Sequence, residues 1–329
     1  MCMSFVALLM QMAALFLPVV VGFVAAKLGF MDDAFDSALS RLVLNVTLPC
    51  MLVASASTSD ALPDAWTSLE LLGISMAGYV VATVLGYAVA WLMRAPAADR
   101  GVYAFMIAFG NVGFIGYPVL SAILGEKAVV FAAIANIANL VFIFSVGAVM
   151  IQGGKTAATA TAAVADGGQP GGAAGLIATL KANARSIFSP TFFASLTLLV
   201  LVVLRVNHLG VVGEGLKVAG SLTTPAVLLV TGASLASYRP LSMLTNWRAY
   251  VAAAVRLLVV PVLMLVIFRP FMADAFVRSI IVIGTGMPVA TVAVLFCLTS
   301  GRDAQVALQG TFITVIASVL TIPLVALLV

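Results

Sequence analysis

The stretch Phe109-Gly110-Asn111-Val112-Gly113-Phe114-Ile115-Gly116-Tyr117-Pro118 carries the residue types best suited to chemistry in this chain. Three glycines, a side-chain amide and a proline fall within ten residues of an apolar run long enough to cross a bilayer. Glycine weakens a helix, and proline removes a backbone donor and collides with the preceding turn, so the run should unwind here. Backbone groups freed in hydrocarbon must be buried in protein or line a wet cavity, which makes such a break a binding-site candidate. A second break is expected at Gly284-Thr285-Gly286-Met287-Pro288. Pro118 and Pro288 each suit the first turn of a second half-helix, where the missing N–H is no loss. Two half-helix amino ends meeting at mid-membrane would each offer unpaired N–H groups and about half a positive charge, a place for an anion and above all a carboxylate. Asn111 would add an amide and Thr285 a hydroxyl, while Gly110, Gly113, Gly116 and Gly286 would let a ligand approach the backbone. The plainer alternative is that these residues only kink helices for packing.

Two more residues join the candidate set. Arg256 is the one strongly charged residue well inside an apolar run, at an insertion cost of at least about 2.5 kcal/mol. It could offset a ligand carboxylate, neutralise helix carbonyls beside a break, or snorkel to the inner interface. Asn45 lies one turn before Thr47-Leu48-Pro49. Asn136 and Asn139 recur at helical spacing and are expected to hydrogen-bond between helices, the ordinary role of membrane amides.

The absences exclude other classes. All twelve Asp and Glu fall in loops or at the ends of apolar runs, so no buried carboxylate relay is expected. The single histidine, His208, falls in a loop, and no nucleophile–base pair or phosphate loop appears at a recognisable spacing. Neither an enzyme nor an ATP-driven motor is indicated, and no cofactor is expected. Cys2, Cys50 and Cys297 are isolated, which supports neither a disulfide framework nor a metal site. The formal charge of +4 comes from Lys and Arg scattered at run ends, with no basic face for nucleic acid.

These residues need elements to hold them. Of the 329 residues, 63% are hydrophobic and 9% charged, where soluble domains have about 25% charged; the mean hydropathy is +1.21. The chain therefore belongs in lipid, as an all-α membrane protein. Spans are expected at 3–27, 38–57, 69–93, 101–124, 127–151, 189–206, 215–236, 247–268, 275–299 and 304–328, each near the ~20 residues a bilayer requires. The first lacks a basic start and a clear cleavage site, so it is read as a retained span. Residues 152–188 hold seven Gly and eleven Ala and read as a flexible linker. The expected organisation is a five-helix repeat over 1–151, the linker 152–188, and a second five-helix repeat over 189–329.

With the amino terminus outside, cytoplasmic loops carry ten Lys and Arg against five in outside loops. That bias places both termini outside and the linker in the cytoplasm. Five spans per half is odd, so two related halves would be inverted, with crossing broken helices. Arg41, Thr47 and Pro49 coincide with Lys217, Thr223 and Pro225 at a constant offset of 176 residues. The two Gly-x-Pro breaks coincide at an offset of 170.

The Leu44–Pro49, Gly110–Pro118 and Arg256–Pro261 stretches, within ten expected spans, resemble the auxin efflux carrier family, which includes plant auxin exporters and bacterial malonate and malate carriers. The resemblance covers nearly the whole chain. It implies a scaffold and a crossover transport domain like those of bile-acid sodium symporters, elevator-like movement, organic-anion substrates, a homodimer, and a bacterial plasma-membrane location. It also implies that Asn111, Pro118 and Pro288 line the substrate cavity. Where the plant exporters carry a second Asn at the ninth-span break, this chain has Thr285, and the sodium-binding acids of the symporters have no evident counterpart. The expectation is a secondary transporter of a small dicarboxylate, against the alternatives of an anion channel, an exporter of auxin-like aromatic acids, or a non-transporting membrane sensor.

Overall fold

The computed structural model describes residues 5–58, 62–151, 189–236, 243–272 and 274–329. The expected linker 152–188 lies outside these residues. Among them the protein is all-helical, and the one pairing of extended backbone is an isolated bridge.

The helices are α1 (Phe5–Lys27), α2 (Asp33–Leu42), α3 (Leu48–Thr58), α4 (Ala65–Leu92), α5 (Arg100–Ala108), α6 (Tyr117–Leu124), α7 (Lys127–Phe142), α8 (Pro190–Val203), α9 (Gly210–Ser221), α10 (Thr223–Ala236), α11 (Trp247–Ala254), α12 (Val260–Phe268), α13 (Ala275–Thr285), α14 (Val292–Thr299) and α15 (Gln305–Ala326). Wider π-helical turns at Val43–Thr47 and Val255–Val259 join α2 to α3 and α11 to α12, a third at Val112–Gly116 leads into α6, and a fourth at Ile143–Gly147 extends α7.

Among the described residues seven helical segments are long and apolar enough to cross a membrane: Phe5–Lys27, Ala34–Ser57, Ala65–Leu92, Lys127–Ile151, Gly210–Ala236, Trp247–Phe271 and Gln305–Ala326. The fourth, sixth and ninth expected spans do not reach that length as unbroken helices. Unwinding divides the fourth and ninth, and α8 has 14 residues, about 21 Å at 1.5 Å per residue.

The carboxylates find local work at helix ends. Asp32, Asp64 and Asp274 each begin a helix by accepting a hydrogen bond from a first-turn N–H, those of Phe35, Thr67 and Phe276. Each cap satisfies one of the N–H groups that a helix start leaves unpaired. Hydrogen bonds from Thr67 hold the Asp64 carboxyl below the usual carboxylate range.

Glycines set how closely the helices approach. In lipid no hydrophobic force drives helix association, so close van der Waals contact over small residues takes its place. At the α1–α10 contact, a Cβ on Gly22 would lie 2.1 Å from the Leu229 carbonyl oxygen, and one on Gly232 would lie 1.9 Å from that of Val19. Gly86 of α4 meets the Ala104 carbonyl of α5 in the same way, at 2.5 Å. Where the turn before α3 meets the start of α10, the Thr223 hydroxyl donates to the Thr47 hydroxyl at 3.0 Å, both side chains being buried. Helices α3 and α9 pack together, as do α2 and α10; α1 packs on α10 and α8 on α3.

Gly232→Val is expected to lower the melting temperature in detergent sharply and to reduce monodisperse yield, because backbone cannot yield as a side chain does. Gly73→Ala, at an exposed position of α4 with nothing within 4 Å, should raise stability by about 0.5–1 kcal/mol. Thermal unfolding of the two variants checks both.

Candidate functional site

The two interrupted segments meet. Phe109 leaves α5 in an extended conformation, and Gly110 pairs with Val289 in an antiparallel bridge. The Asn111 N–H donates to the Pro288 carbonyl at 2.7 Å, and the Ala290 N–H donates to the Phe109 carbonyl at 3.1 Å. The Val289 N–H donates to the Thr314 hydroxyl at 3.1 Å. Each unwound segment thus supplies hydrogen-bonding partners to the other, as burial in an apolar medium demands.

The amino ends of both second halves start at this crossing, at Val112 and Val292. Asn111 is the cap of the first: its side-chain oxygen accepts from the Phe114 N–H at 3.1 Å, and its carbonyl accepts from Ile115 and Gly116. Gly113, in the first turn, borders open space, with nothing within 4 Å of where a Cβ would stand. Gly116 packs against the side chains of Val112 and Met287. Pro118 sits buried in the first turn of α6.

The carboxyl ends of α5 and α13 come to the same place, and there Arg256 is bound. Its side chain is 1% exposed. Nη1 donates to the carbonyls of Ile107 (3.2 Å) and Ala108 (2.9 Å), and Nε donates to that of Met287 (3.0 Å). Of the three roles open to it in the sequence, the geometry has it neutralising helix carbonyls beside a break; it does not snorkel. Gly110 makes room for it, since a Cβ there would lie 1.9 Å from Nη2.

A cavity of about 30 Å³ adjoins the crossing, with Tyr79, Asn136, Arg256, Gly284 and Thr285 among its lining residues. At roughly 10–15 Å³ per water it admits two or three waters and no organic acid. Tyr79 also stacks on Phe109, with ring centroids 5.8 Å apart. Thr285 closes α13 and turns its hydroxyl back to the Val282 carbonyl at 2.9 Å, and Gly286 caps that helix.

Several expectations need correction. Unwinding covers 109–111 and not the whole 109–118 stretch, because Asn111 restarts the helix at once. Pro288 is not in the first turn of a half-helix; it lies in the bridge, where a residue without an N–H serves as acceptor, and α14 starts at Val292. The bridge pairs residues 179 apart, so the offset of 170 that aligns the prolines is not the register of the crossing. Asn45 stands apart: it is exposed and donates to the Arg41 carbonyl of its own helix at 2.7 Å. Asn139 bonds Asn136 within one helix at 2.9 Å, while Asn136 also interacts across helices with the Tyr117 hydroxyl of α6 and lines the cavity. Sequence reasoning overlooked Tyr79 and Thr314, whose types and neighbours give no signal in one dimension.

Comparison with known proteins agrees with a membrane role. The model of a family described as membrane transport protein matches residues 7–326. An uncharacterized transporter of Methanothermobacter thermautotrophicus is 23% identical over 311 residues, 93% of either chain.

Gly110→Ala is expected to lower the melting temperature strongly by pushing the guanidinium off its carbonyls, whereas Gly113→Ala should fold as well as the parent. Differential scanning fluorimetry on the purified pair decides it, and equal melting temperatures would contradict the crossing geometry.

Proposed function

The chain belongs to the membrane transport protein family, the auxin efflux carrier family its motifs resemble, and from that premise we propose that it is a secondary carrier of small organic anions, dicarboxylates such as malonate or malate ahead of aromatic acids. One observation carries the proposal: two interrupted helices bonded to each other at Gly110 and Val289, with the amino ends of Val112–Gly116 and α14 starting beside the bond. Broken helices of this kind form substrate sites in secondary transporters. Positive helix ends favour an anion. No group of three or more His, Cys, Asp and Glu side chains gathers among the described residues to favour a metal ion.

The substrate carboxylate sits against the first turn at Asn111 and Gly113, with Gly110, Gly116, Pro118, Thr285, Gly286 and Pro288 shaping the crossing. A cavity of about 30 Å³ does not hold such an acid, so loading needs one helix bundle to move against the other in an elevator-like step. Two inverted five-helix halves, 1–151 and 189–329, are the proposed architecture. In its support, Thr47 and Thr223 meet at the offset of 176 residues that aligns the halves, as equivalent positions do on a two-fold axis. The contacts of α1 with α10 and of α8 with α3 are reciprocal between the halves. The homodimer, the bacterial plasma membrane, and outside termini with a cytoplasmic linker complete the proposal from the resemblance and the charge bias.

Asn111→Asp separates the site from the fold. Aspartate keeps the capping oxygen, so the variant should still fold, with a melting temperature lowered by the cost of the buried carboxylate. A second negative charge against the substrate should cut saturable uptake of labelled malonate into proteoliposomes by at least tenfold, and Asn111→Ala and Pro118→Ala should also cut it. Counterflow by the parent protein distinguishes a carrier from a channel. Full uptake by the Asp variant would remove Asn111 from the site.

A further inference from the structure

The surroundings of Arg256 are those of a bound cation. Three carbonyl oxygens face one guanidinium, two from the end of α5 and the third, Met287, from the opposite interrupted segment. Carbonyls at the ends of broken helices are the ligands with which other carriers hold a dissociable cation. Among the described residues no carboxylate hydrogen-bonds Arg256, so its charge is balanced there by the negative ends of helix dipoles and not by an ion pair. Gly110 lacks the Cβ that would exclude Nη2, which fits the crossing to this one side chain. Pro261 follows at the start of α12, and in the π-helical turn Val255–Val259 Arg256 lies on the buried face with Leu257 and Val260, while Leu258, Val259 and Val262 are exposed.

We infer that Arg256 is a tethered cation: it joins the two interrupted segments through their carbonyls in the place a free ion would otherwise occupy, and travels with the crossing as a permanent part of it. Two consequences follow. The parent protein needs no sodium to hold the crossing together. Removing the side chain leaves a nest of carbonyls that a small cation from solution can refill. Arg256 is on this account a positioning residue, acting on the substrate through the arrangement of the crossing. The melting experiments below stand without the transport proposal; the uptake experiment rests on it.

The test uses the full-length purified protein and three probes: sodium chloride, choline chloride and guanidinium chloride at 1–20 mM, the last chosen because it reproduces the missing group at concentrations on the order of a hundredfold below those that unfold proteins. The parent should melt at one temperature in sodium and in choline. Arg256→Ala should melt well below the parent and recover by several degrees in guanidinium, which the parent should not. Uptake by Arg256→Ala should fall at least tenfold and rise again with guanidinium. A sodium-dependent melting temperature in the parent, or an Arg256→Ala variant that is folded and indifferent to guanidinium and to sodium, overturns the inference. Should Arg256→Ala fail to insert, Arg256→Lys and Arg256→Met replace it: lysine, which keeps the charge, should melt above methionine, and the reverse order overturns the inference equally.

Discussion

An amide left without a partner in hydrocarbon costs several kcal/mol, and the centre of this protein is organised to avoid that cost while leaving two helices broken. The solution is mutual. Phe109, Gly110 and Asn111 bond to Pro288, Val289 and Ala290. Thr314 serves Val289, Asn111 serves the restarting helix, and Arg256 serves the carbonyls that the two preceding helices leave behind.

This economy separates two kinds of helix end in a small volume. Amino ends at Val112 and Val292 and carboxyl ends at Ala108 and Thr285 all lie at the crossing. The carboxyl ends are partly neutralised by Arg256, whereas Gly113 leaves the amino end of Val112–Gly116 bordered by open space. The N–H groups of Val112, Phe114, Ile115 and Gly116 are already bonded to Gly110 and Asn111, and the fixed positive charge of Arg256 lies on the side of the carboxyl ends. The side chain costs at least about 2.5 kcal/mol to insert, and three charge-assisted hydrogen bonds of the kind worth about 1.5–3 kcal/mol each offset it.

Around the crossing the helices associate through glycine and backbone. Gly22, Gly232 and Gly86 each lie where a Cβ would strike a carbonyl, so the contacts are set by main chain and leave little freedom to repack. Apolar side chains such as Val80, Val84 and Leu320 are left facing outward, where lipid is as good a neighbour as protein. Thr47 and Thr223 add a polar bond at the junction of α3 and α10, the kind of interhelical hydroxyl contact that membrane helices use sparingly.

Composition and run length determined the class: continuous apolar runs of about 20 residues satisfy their backbones in lipid as helices, where a barrel would need short alternating strands. Glycine and proline content likewise marked where two helices would fail, at Gly110 and near Pro288, because the cost of those residues in a helix is local and needs no knowledge of the fold. Which residues partner each other was decided by tertiary structure. The bridge register, the role of Pro288 as an acceptor, the commitment of Arg256 to carbonyls, the exposure of Asn45, and the recruitment of Tyr79 and Thr314 all depend on atoms brought together from positions far apart in the chain. A sequence states which groups will lack a partner; only the packed helices state which groups come within 3 Å of them.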